Sequence, residues 1–406
     1  MSPARVLIIA GENSGDKHGA SLVQAFHEID PSVEFFGVGG ARMLEAGVRL
    51  INTVEDLAVV GIFEILSQLP RIRGVFTRIK REARSQEPQA AILIDSPDFN
   101  LRLARFLKKQ RIPVLYYISP SVWAWRKNRL KTIRKTVDKM MLIFPFEQPL
   151  YHEHGIASVY VGHPLLEQIE TTAPREEVFH RYGFDPVRPL LVLLPGSRRS
   201  EIRYHMPTLM SAAAQLRTES RAQFALMLAE NLEAEAVRGL IPKELEPDIR
   251  VIEDTQDYHD VLAAGDLALS SCGTANLESA LLETPVLAFY RISPLTYSLG
   301  KPFVKVDHYS IVNILAGREV VPELIQRNFT PERLTREALR LLDSCTERES
   351  MVCEFRAIRE SLGKSRASLR AAEELRTLLE QAGAADSAVT KTGSGGRTAQ
   401  GSESSD

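Results

Sequence analysis

Cysteine is scarce: 3 in 406 residues. Cys272, Cys345 and Cys353 form no C-x-x-C pair, which argues against a zinc ribbon or a disulfide framework. So few thiols fit a reducing cytosol. Long apolar runs are also missing. Val6-Leu7-Ile8-Ile9 is far too short to cross a bilayer, no stretch of 18 residues is free of charged and polar groups, and no signal-peptide pattern opens the chain. Charge of one sign is lacking, because 50 Lys plus Arg face 52 Asp plus Glu, a net of -2. That balance excludes a globally basic nucleic-acid binder. The nine histidines form no metal constellation. His152 and His154 stand two apart without a carboxylate-rich partner motif and read as surface residues. No acidic D-x-D pair follows a strand, so neither a catalytic metal nor a bound cofactor is expected.

What the chain does have is a hidden asymmetry. Residues 1–168 hold 22 basic against 17 acidic side chains, net +5, leaving -7 for the remainder. Residues 71–135 alone hold 17 basic and 4 acidic. A block this basic in a neutral protein calls for an anionic partner.

The first half alternates short apolar runs with helical patterns. Arg5–Ala10, Val33–Val38, Ala90–Ile94, Pro113–Ile118, Lys139–Phe144 and Ser158–Val161 read as strands, with helices over His18–Ile29 and Leu101–Gln110. This is the pattern of a parallel sheet covered on both faces. The pattern restarts at Leu190–Leu194 and continues through Gln223–Leu228, Arg250–Ile252, Leu267–Ser270 and Pro285–Phe289, with a helix over Met206–Arg217. A mid-chain restart argues for two α/β domains and against one eight-fold barrel. Residues 164–189 read as the connection between them. Pro331–Gln381 reads as helical, with Leu334, Ala338, Leu341 and Leu342 on one face. Beyond Gly383 the Ala, Ser, Gly and Thr composition predicts disorder. The expected division is 1–168, 169–345, helices over 346–382 that return to the first domain or pack on a partner, and a tail over 383–406.

Ligands of doubly wound sheets sit beyond the carboxyl ends of strands, so the residues following each strand are the candidates. Gly11-Glu12-Asn13-Ser14-Gly15-Asp16 follows the first strand. Its glycines permit close backbone approach. Asp16 would cap a helix, which leaves Glu12 without a structural reason. Ser14 falls one place late for a G-x-S-x-G elbow, so a serine hydrolase is not supported. Gly37-Val38-Gly39-Gly40 lacks the last glycine of a dinucleotide fingerprint and reads as a tight turn. After the third apolar run, Asp95 is placed to take a proton from an attacking hydroxyl, and Asp98 reads as an N-cap. Trp123 and Trp125, two apart, would share one side of an extended segment. They would wall a ligand or plug the domain. In the second half, Gly196, Ser197 and Arg198 stand together at a strand end, a set suited to an anionic phosphate. Gly273 and Thr274 open a helix where phosphate oxygens can meet backbone N–H groups. Glu278, one turn on, can accept from two ribose hydroxyls or complement the helix dipole. Cys272 reads as a small packing residue, and His163 as a phosphate-orienting or linker-capping residue.

Taken in order, the motifs resemble those of the lipid-A-disaccharide synthases. The resemblance rests on Ala10 to Asp16, Leu57 to Gly61, Ile94 to Asn100, Tyr117 to Arg126, Phe144-Pro145-Phe146-Glu147 and Gly162-His163-Pro164. It continues through Leu194 to Arg198, Gly273 to Glu278 and Asn313 to Glu319. Departures fall at Asn13 and Cys272, neither a charged position. The resemblance implies a GT-B-type fold of two Rossmann-like α/β domains facing a cleft. It implies transfer of 2,3-diacylglucosamine from UDP to 2,3-diacylglucosamine 1-phosphate, forming a β-1,6 disaccharide with inversion and without a metal. It further implies Asp95 as base, Glu12 as a second essential carboxylate near the acceptor, and Arg198 on the leaving diphosphate. Glu278 would hold the ribose, and Asn313 would lie in a donor-side segment.

Acylated substrates require a meeting with the membrane surface. Leu57–Leu69, with Val59 and Phe63, is apolar and is followed by Arg71, Arg73 and Arg78. Such a segment suits a helix lying on an anionic inner-membrane leaflet; the structural alternative is an amphipathic helix packed on the sheet. A cytoplasmic, peripherally membrane-associated enzyme is the expectation, and a homodimer is left open. Two rivals share the scaffold, a UDP-sugar epimerase and a non-enzymatic nucleotide-sugar or lipid binder.

Overall fold

The computed structural model describes residues 3–57, 62–229, 232–253, 256–301, 306–364 and 366–393, apart from the side chains of 62–69, 295, 299–300 and 384–393. The chain divides into two compact units, Met1–Pro164 with Arg366–Asp406, and Leu165–Ser365.

The first unit is built on a seven-stranded parallel sheet. Its strands are β1 (Arg5–Ala10), β2 (Glu34–Gly39), β3 (Arg49–Thr53), β4 (Ala90–Ile94), β5 (Val114–Tyr117), β6 (Lys139–Leu142) and β7 (Ser158–Tyr160). They lie in the order β3-β2-β1-β4-β5-β6-β7. The central strands are buried on both faces, so they read as unbroken apolar runs. Alternate side chains feed separate cores. Leu7, Ile9, Leu93 and Tyr116 join Val75, Ile79, Leu103 and Leu107 on one face. Val6, Ile8, Ile92 and Tyr117 join Leu22, Val23, Phe26, Ala371, Ala372 and Leu375 on the other. The last three belong to the helix Ala367–Gly393, which packs on the helix Asn13–Ile29. Lys139 pins it through Glu374 at 2.6 Å. That helix runs on through residues 383–393, which were expected to begin a disordered tail; residues 394–406 of that tail lie outside the described residues.

The second unit holds a six-stranded parallel sheet: β8 (Leu190–Leu194), β9 (Gln223–Met227), β10 (Ile249–Ile252), β11 (Leu267–Ser271), β12 (Val286–Tyr290) and β13 (Glu323–Ile325), in the order β10-β9-β8-β11-β12-β13. Helices Pro331–Asp343 and Cys345–Ser361 close it. In the former, Leu334, Ala338 and Leu341 are buried as the spacing predicts. The stretch read as a connection instead carries the helix Arg175–Tyr182, which buries Val178 and Phe179. Arg175 pairs with Asp266 at 2.9 Å, and Tyr182 donates to Asp257 at 2.6 Å. Two strands escaped the sequence. Only half-buried through its middle, β3 lacks an apolar run, and β13 is three residues long beginning with Glu323.

Among the described residues no helix is long and apolar enough to cross a membrane. The helix Ile62–Gln86 buries Val75, Ile79 and Ala83 against the sheet and leaves Arg71, Arg73, Arg78, Arg81 and Arg84 exposed. Arg71 is held by Asp56 at 2.6 Å. Asn52 and Arg71 together keep that carboxyl at about 2. Val59 and the side chain of Phe63 lie outside the described residues.

Candidate active site

In the first unit, successive strands run outward from β1 to β3 and then from β4 to β7, so the sheet reverses direction between β1 and β4. Such a switch point opens a crevice at the carboxyl ends of the two strands. Ala10 pairs with Ile94 in register, so Gly11-Glu12 and Asp95-Ser96 emerge side by side. The contact is close: a Cβ on Gly11 would lie 2.2 Å from Ser96 Oγ and 2.6 Å from its Cβ. Only glycine fits there.

Asp95 and Ser96 both hold positive φ, 45° and 42°, and Ile118 at the end of β5 holds 65°. Left-handed backbone costs a non-glycine residue on the order of 1–3 kcal/mol and persists only where the surroundings enforce it. The enforcement is visible. Asp95 N–H donates to Tyr117 O at 3.0 Å. The Asp95 carbonyl accepts from Asn100 Nδ2 at 2.9 Å and from the Tyr116 hydroxyl. Asn100, fully buried, also donates to Ile94 O at 2.9 Å. Backbone clamps therefore fix where the half-buried Asp95 side chain starts. Glu12 and Ser14 are exposed at the start of the adjacent helix.

Several sequence expectations change here. Asp16 caps not its own helix but the next one, accepting from Gly40 N at 2.5 Å, Met43 N at 3.1 Å and Arg42 N at 3.2 Å. Gly37–Gly39, read as part of a tight turn, are instead the end of β2, and Gly40 gives its amide to Asp16. Asp98 is not an N-cap, since Ser96 takes that position. Its carboxylate instead binds Arg126 at 3.0 Å and Arg129 at 2.6 Å. The tryptophan segment is a turn rather than extended, with Ala124 and Trp125 N–H both donating to Ser121 O. The two rings consequently have different partners. Trp123 packs edge-on against Phe146 at 5.4 Å, while Trp125 lies under Arg126 and Arg129 at 4.4 and 5.4 Å.

Behind Trp123 sits a carboxyl whose role the sequence did not reveal. Glu147 is 1 % exposed, and burial pushes its pKa up to about 8 against hydrogen bonding from Ser119, the Phe144 backbone and Trp123. Ser119 also pairs with the Tyr151 hydroxyl at 2.7 Å. His163 is buried with its ring 5.0 Å from Phe144. Burial, then the neighbouring His18, lowers its pKa to about 3. A neutral imidazole so placed packs as core.

The second unit repeats the arrangement. Its switch point lies between β8 and β11, where Leu194 pairs with Ser270. Gly196, at φ 120°, passes so close to Glu201 that a Cβ would meet Oε2 at 2.4 Å. Glu201 Oε2 accepts from Ser197 N at 3.0 Å and Arg198 N at 3.2 Å. Tyr290 donates to Oε1 at 3.2 Å. The amides of this loop thus serve a buried carboxylate, while the Arg198 side chain, expected to meet phosphate, is 65 % exposed. His205 ties the loop down from below. One ring nitrogen, Nδ1, lies 2.6 Å from Pro195 O, and Nε2 accepts from Arg291 N at 3.0 Å. Both bonds suit the neutral ring, and burial lowers its pKa.

On the other side, Asn276, fully buried, donates to Ser270 Oγ at 2.8 Å and Ser271 O at 3.1 Å. It fixes the turn into the helix Thr274–Leu281, where Gly273 and Thr274 are exposed. Tyr258 donates to Glu278 Oε2 at 3.0 Å. Burial and the Glu278 charge raise the Tyr258 pKa well above the phenol range, so it remains a donor. Burial, then Glu323, pushes the Cys272 thiol well up, which makes it a poor nucleophile. Asn313 is fully buried and spends its amide on the chain. It donates to Val321 O and Glu323 Oε1 at 2.8 Å and accepts from Val320 N and Val321 N at 2.7 and 2.9 Å. Among the described residues no group of three His, Cys, Asp or Glu is placed to hold a metal ion.

A family model described as lipid-A-disaccharide synthetase matches residues 6–375. A lipid-A-disaccharide synthase of Syntrophus aciditrophicus is 43% identical over 383 residues, 94% of this chain and 99% of that one. One from Solibacter usitatus is 41% identical over 380 residues, 93% and 98% of the two chains. Among solved structures, a UDP-GlcNAc 2-epimerase from Neisseria meningitidis bound to UDP-GlcNAc matches at a TM-score of 0.64 and 13% identity, covering 92% of this chain and all of the other. MurG from Acinetobacter baumannii matches at 0.55 and 15%, covering 93% and 100%. The architecture is GT-B, and since epimerases share it, the sequence family rather than the fold separates the chemistries.

Proposed function

The chain belongs to the lipid-A-disaccharide synthase family, a GT-B glycosyltransferase that uses a UDP-sugar to build the lipid A disaccharide. From that premise we propose how its own residues carry the reaction. Asp95 takes the proton from the 6-hydroxyl of 2,3-diacylglucosamine 1-phosphate as that oxygen attacks the anomeric carbon of UDP-2,3-diacylglucosamine. The bond to the diphosphate breaks, its electrons leave with UDP, and the sugar inverts to a β-1,6 linkage. One base and one cation are sufficient for such a displacement, so no metal is invoked. Arg198 stabilises the departing diphosphate, with Gly196 and Ser197 shaping its loop and Gly273 and Thr274 meeting the phosphates at a helix start. Glu278 accepts from the ribose hydroxyls, oriented by Tyr258. Asn313 acts from beneath the donor segment, as its internal hydrogen bonds suggest. Glu12 and Ser14 face the acceptor beside Asp95. Trp125 borders it, and Trp123 anchors the loop.

The observation that carries this reading is register. Ala10 pairs with Ile94 and Leu194 with Ser270, so each candidate loop pair follows two adjacent strands at a switch point, where ligands of such sheets bind. Strained backbone at Asp95 and Ser96 supports a functional turn there.

We further propose that the enzyme works on the anionic inner leaflet as a peripheral protein. The exposed Arg73 and Arg78 would supply charge, and Val59 and Phe63 apolar contact. Arg71, engaged by Asp56, would contribute least.

Incubating the protein with acylated UDP-sugar, with and without acylated sugar 1-phosphate, tests the reaction. Acceptor-dependent UDP release with a disaccharide product is expected. Sugar isomerisation or UDP release without acceptor would favour the epimerase, and no turnover a binder.

A further inference from the structure

We propose that Arg126 and Arg129, backed by the Trp125 ring, form the subsite for the 1-phosphate of the acceptor sugar. This deepens the reading above and rests on it.

Three observations lead there. The first is position. Asp98 lies three residues beyond Asp95, where Phe99 and Asn100 N–H both donate to Ser96 O, so both carboxylates belong to one turn. Asp98 holds Arg126 Nη1 at 3.0 and 3.2 Å and Arg129 Nη2 at 2.6 Å. The two guanidiniums are therefore gathered on the carboxylate that follows, within the same turn, the residue assigned the acceptor hydroxyl. The acceptor is a single pyranose carrying its nucleophile on C6 and its phosphate on C1, and C5, which bears C6, and C1 both flank the ring oxygen. A base at the hydroxyl therefore implies a cation within one sugar of it.

The second observation is charge. Asp98 neutralises one of the two arginines, and residues 119–137 contain no acidic side chain but also carry Lys127, Lys131, Arg134 and Lys135. Each guanidinium has five N–H donors, and Asp98 engages one nitrogen of each. Arg126 is 46 % exposed and Arg129 11 %, so the donors that reach solvent are chiefly those of Arg126. A planar fork of this kind matches the bidentate geometry of a phosphomonoester.

The third is that folding does not account for the Asp98–Arg126 pair. Asp98 is 73 % and Arg126 46 % exposed, and an ion pair at such exposure adds little stability. Yet Arg126 is held at φ 54°, and both guanidiniums are stacked on Trp125, itself 38 % exposed. Asp98 and Trp125 fix the two cations in place before any ligand arrives. Preorganised donors of this kind lower the entropy lost on binding.

The test uses the full chain in neutral detergent, so that no anionic lipid competes. Tryptophan fluorescence is titrated with glucosamine 1-phosphate and with glucosamine. A change with the phosphate alone is expected from Trp125, weakened in Arg126→Gln. Steady-state rates are then compared for the acylated acceptor with and without its 1-phosphate. Losing a charge-assisted contact should lower kcat/KM for the phosphorylated acceptor about tenfold to a hundredfold in Arg126→Gln and in Arg129→Gln. The dephosphorylated acceptor should be little affected, and UDP affinity unchanged. Equal losses with both acceptors would reduce the arginines to supports of the loop and overturn the proposal. Retained phosphate preference would overturn it too, and so would weaker binding to anionic vesicles with that preference intact, which would point to lipid headgroups. Phosphate-dependent fluorescence without turnover on either acceptor would overturn the synthase reading, not the subsite.

Discussion

Burial of Glu147 makes a quantitative prediction. Its carboxyl is 1 % exposed, Oε2 has no hydrogen-bond partner among the described residues, and its pKa rises from an ordinary 4.5 to about 8. The native protein then keeps a proton that the unfolded chain releases above pH 4.5. Between those values stability falls as pH rises, by about 1.4 kcal/mol per pH unit for this group, and the fall ends near pH 8. At pH 7 the accumulated loss is about 3 kcal/mol. Glu147→Gln keeps the shape and removes the proton, so this dependence should vanish. All other titrating groups, His18 and His163 among them, cancel in the comparison. The chain supplies its own probe, because its two tryptophans, Trp123 and Trp125, lie in the first unit with Glu147. Urea unfolding followed by their fluorescence reports that unit at pH 5.5 and pH 7.5. The stability of the variant relative to the parent should rise by about 3 kcal/mol between the two. A change below about 1 kcal/mol would mean Glu147 is ionised in the folded protein and the account of its environment is wrong.

Other substitutions probe the two switch points. Gly11→Ala places a methyl inside the Ser96 side chain. It should destabilise by about 1–3 kcal/mol in thermal melts and lower turnover at least as strongly as it lowers stability. Asn313→Ala strands the N–H groups of Val320 and Val321 and one bond of Glu323. A loss of about 2–4 kcal/mol is expected, measured as a lowered urea midpoint of the second unit by circular dichroism. Glu278→Gln should raise the donor KM about tenfold and leave acceptor KM unchanged; Tyr258→Phe should do the same more weakly.

Much of this framework can be read from the residues. β1, β4, β8 and β11 are apolar runs buried on both faces, so composition alone marks them, and the candidate loops follow directly. Charge-bearing turns such as Asp95 and Arg198 stand out because a strand end gives a carboxylate or guanidinium little structural reason to be there. What stayed hidden depends on contacts distant in sequence or on direction. Asp16 caps a helix 24 residues away, which no local pattern records. The Trp123–Trp125 spacing suggested one shared side only if the segment were extended, and its turn sends the rings to different partners. Glu147 and Glu201 look like ordinary helix-start acids until burial is known. Glu201 stands three residues past the N-cap Arg198, but an arginine there is not the Ser or Thr that marks a capping box in a sequence, so its hold on the loop amides was not legible. For His205, which braces Pro195 from ten residues downstream, no signal was present either.

In the proposed reaction Asp95 removes the acceptor proton while the second unit binds the nucleotide without it. The decisive measurement is Asp95→Ala turnover beside UDP affinity on the same preparation. Acceptor-dependent UDP release should fall by about two to four orders of magnitude, with the Kd for UDP within about twofold of the parent. A rate within a few-fold of the parent, or loss of UDP binding together with activity, would contradict it.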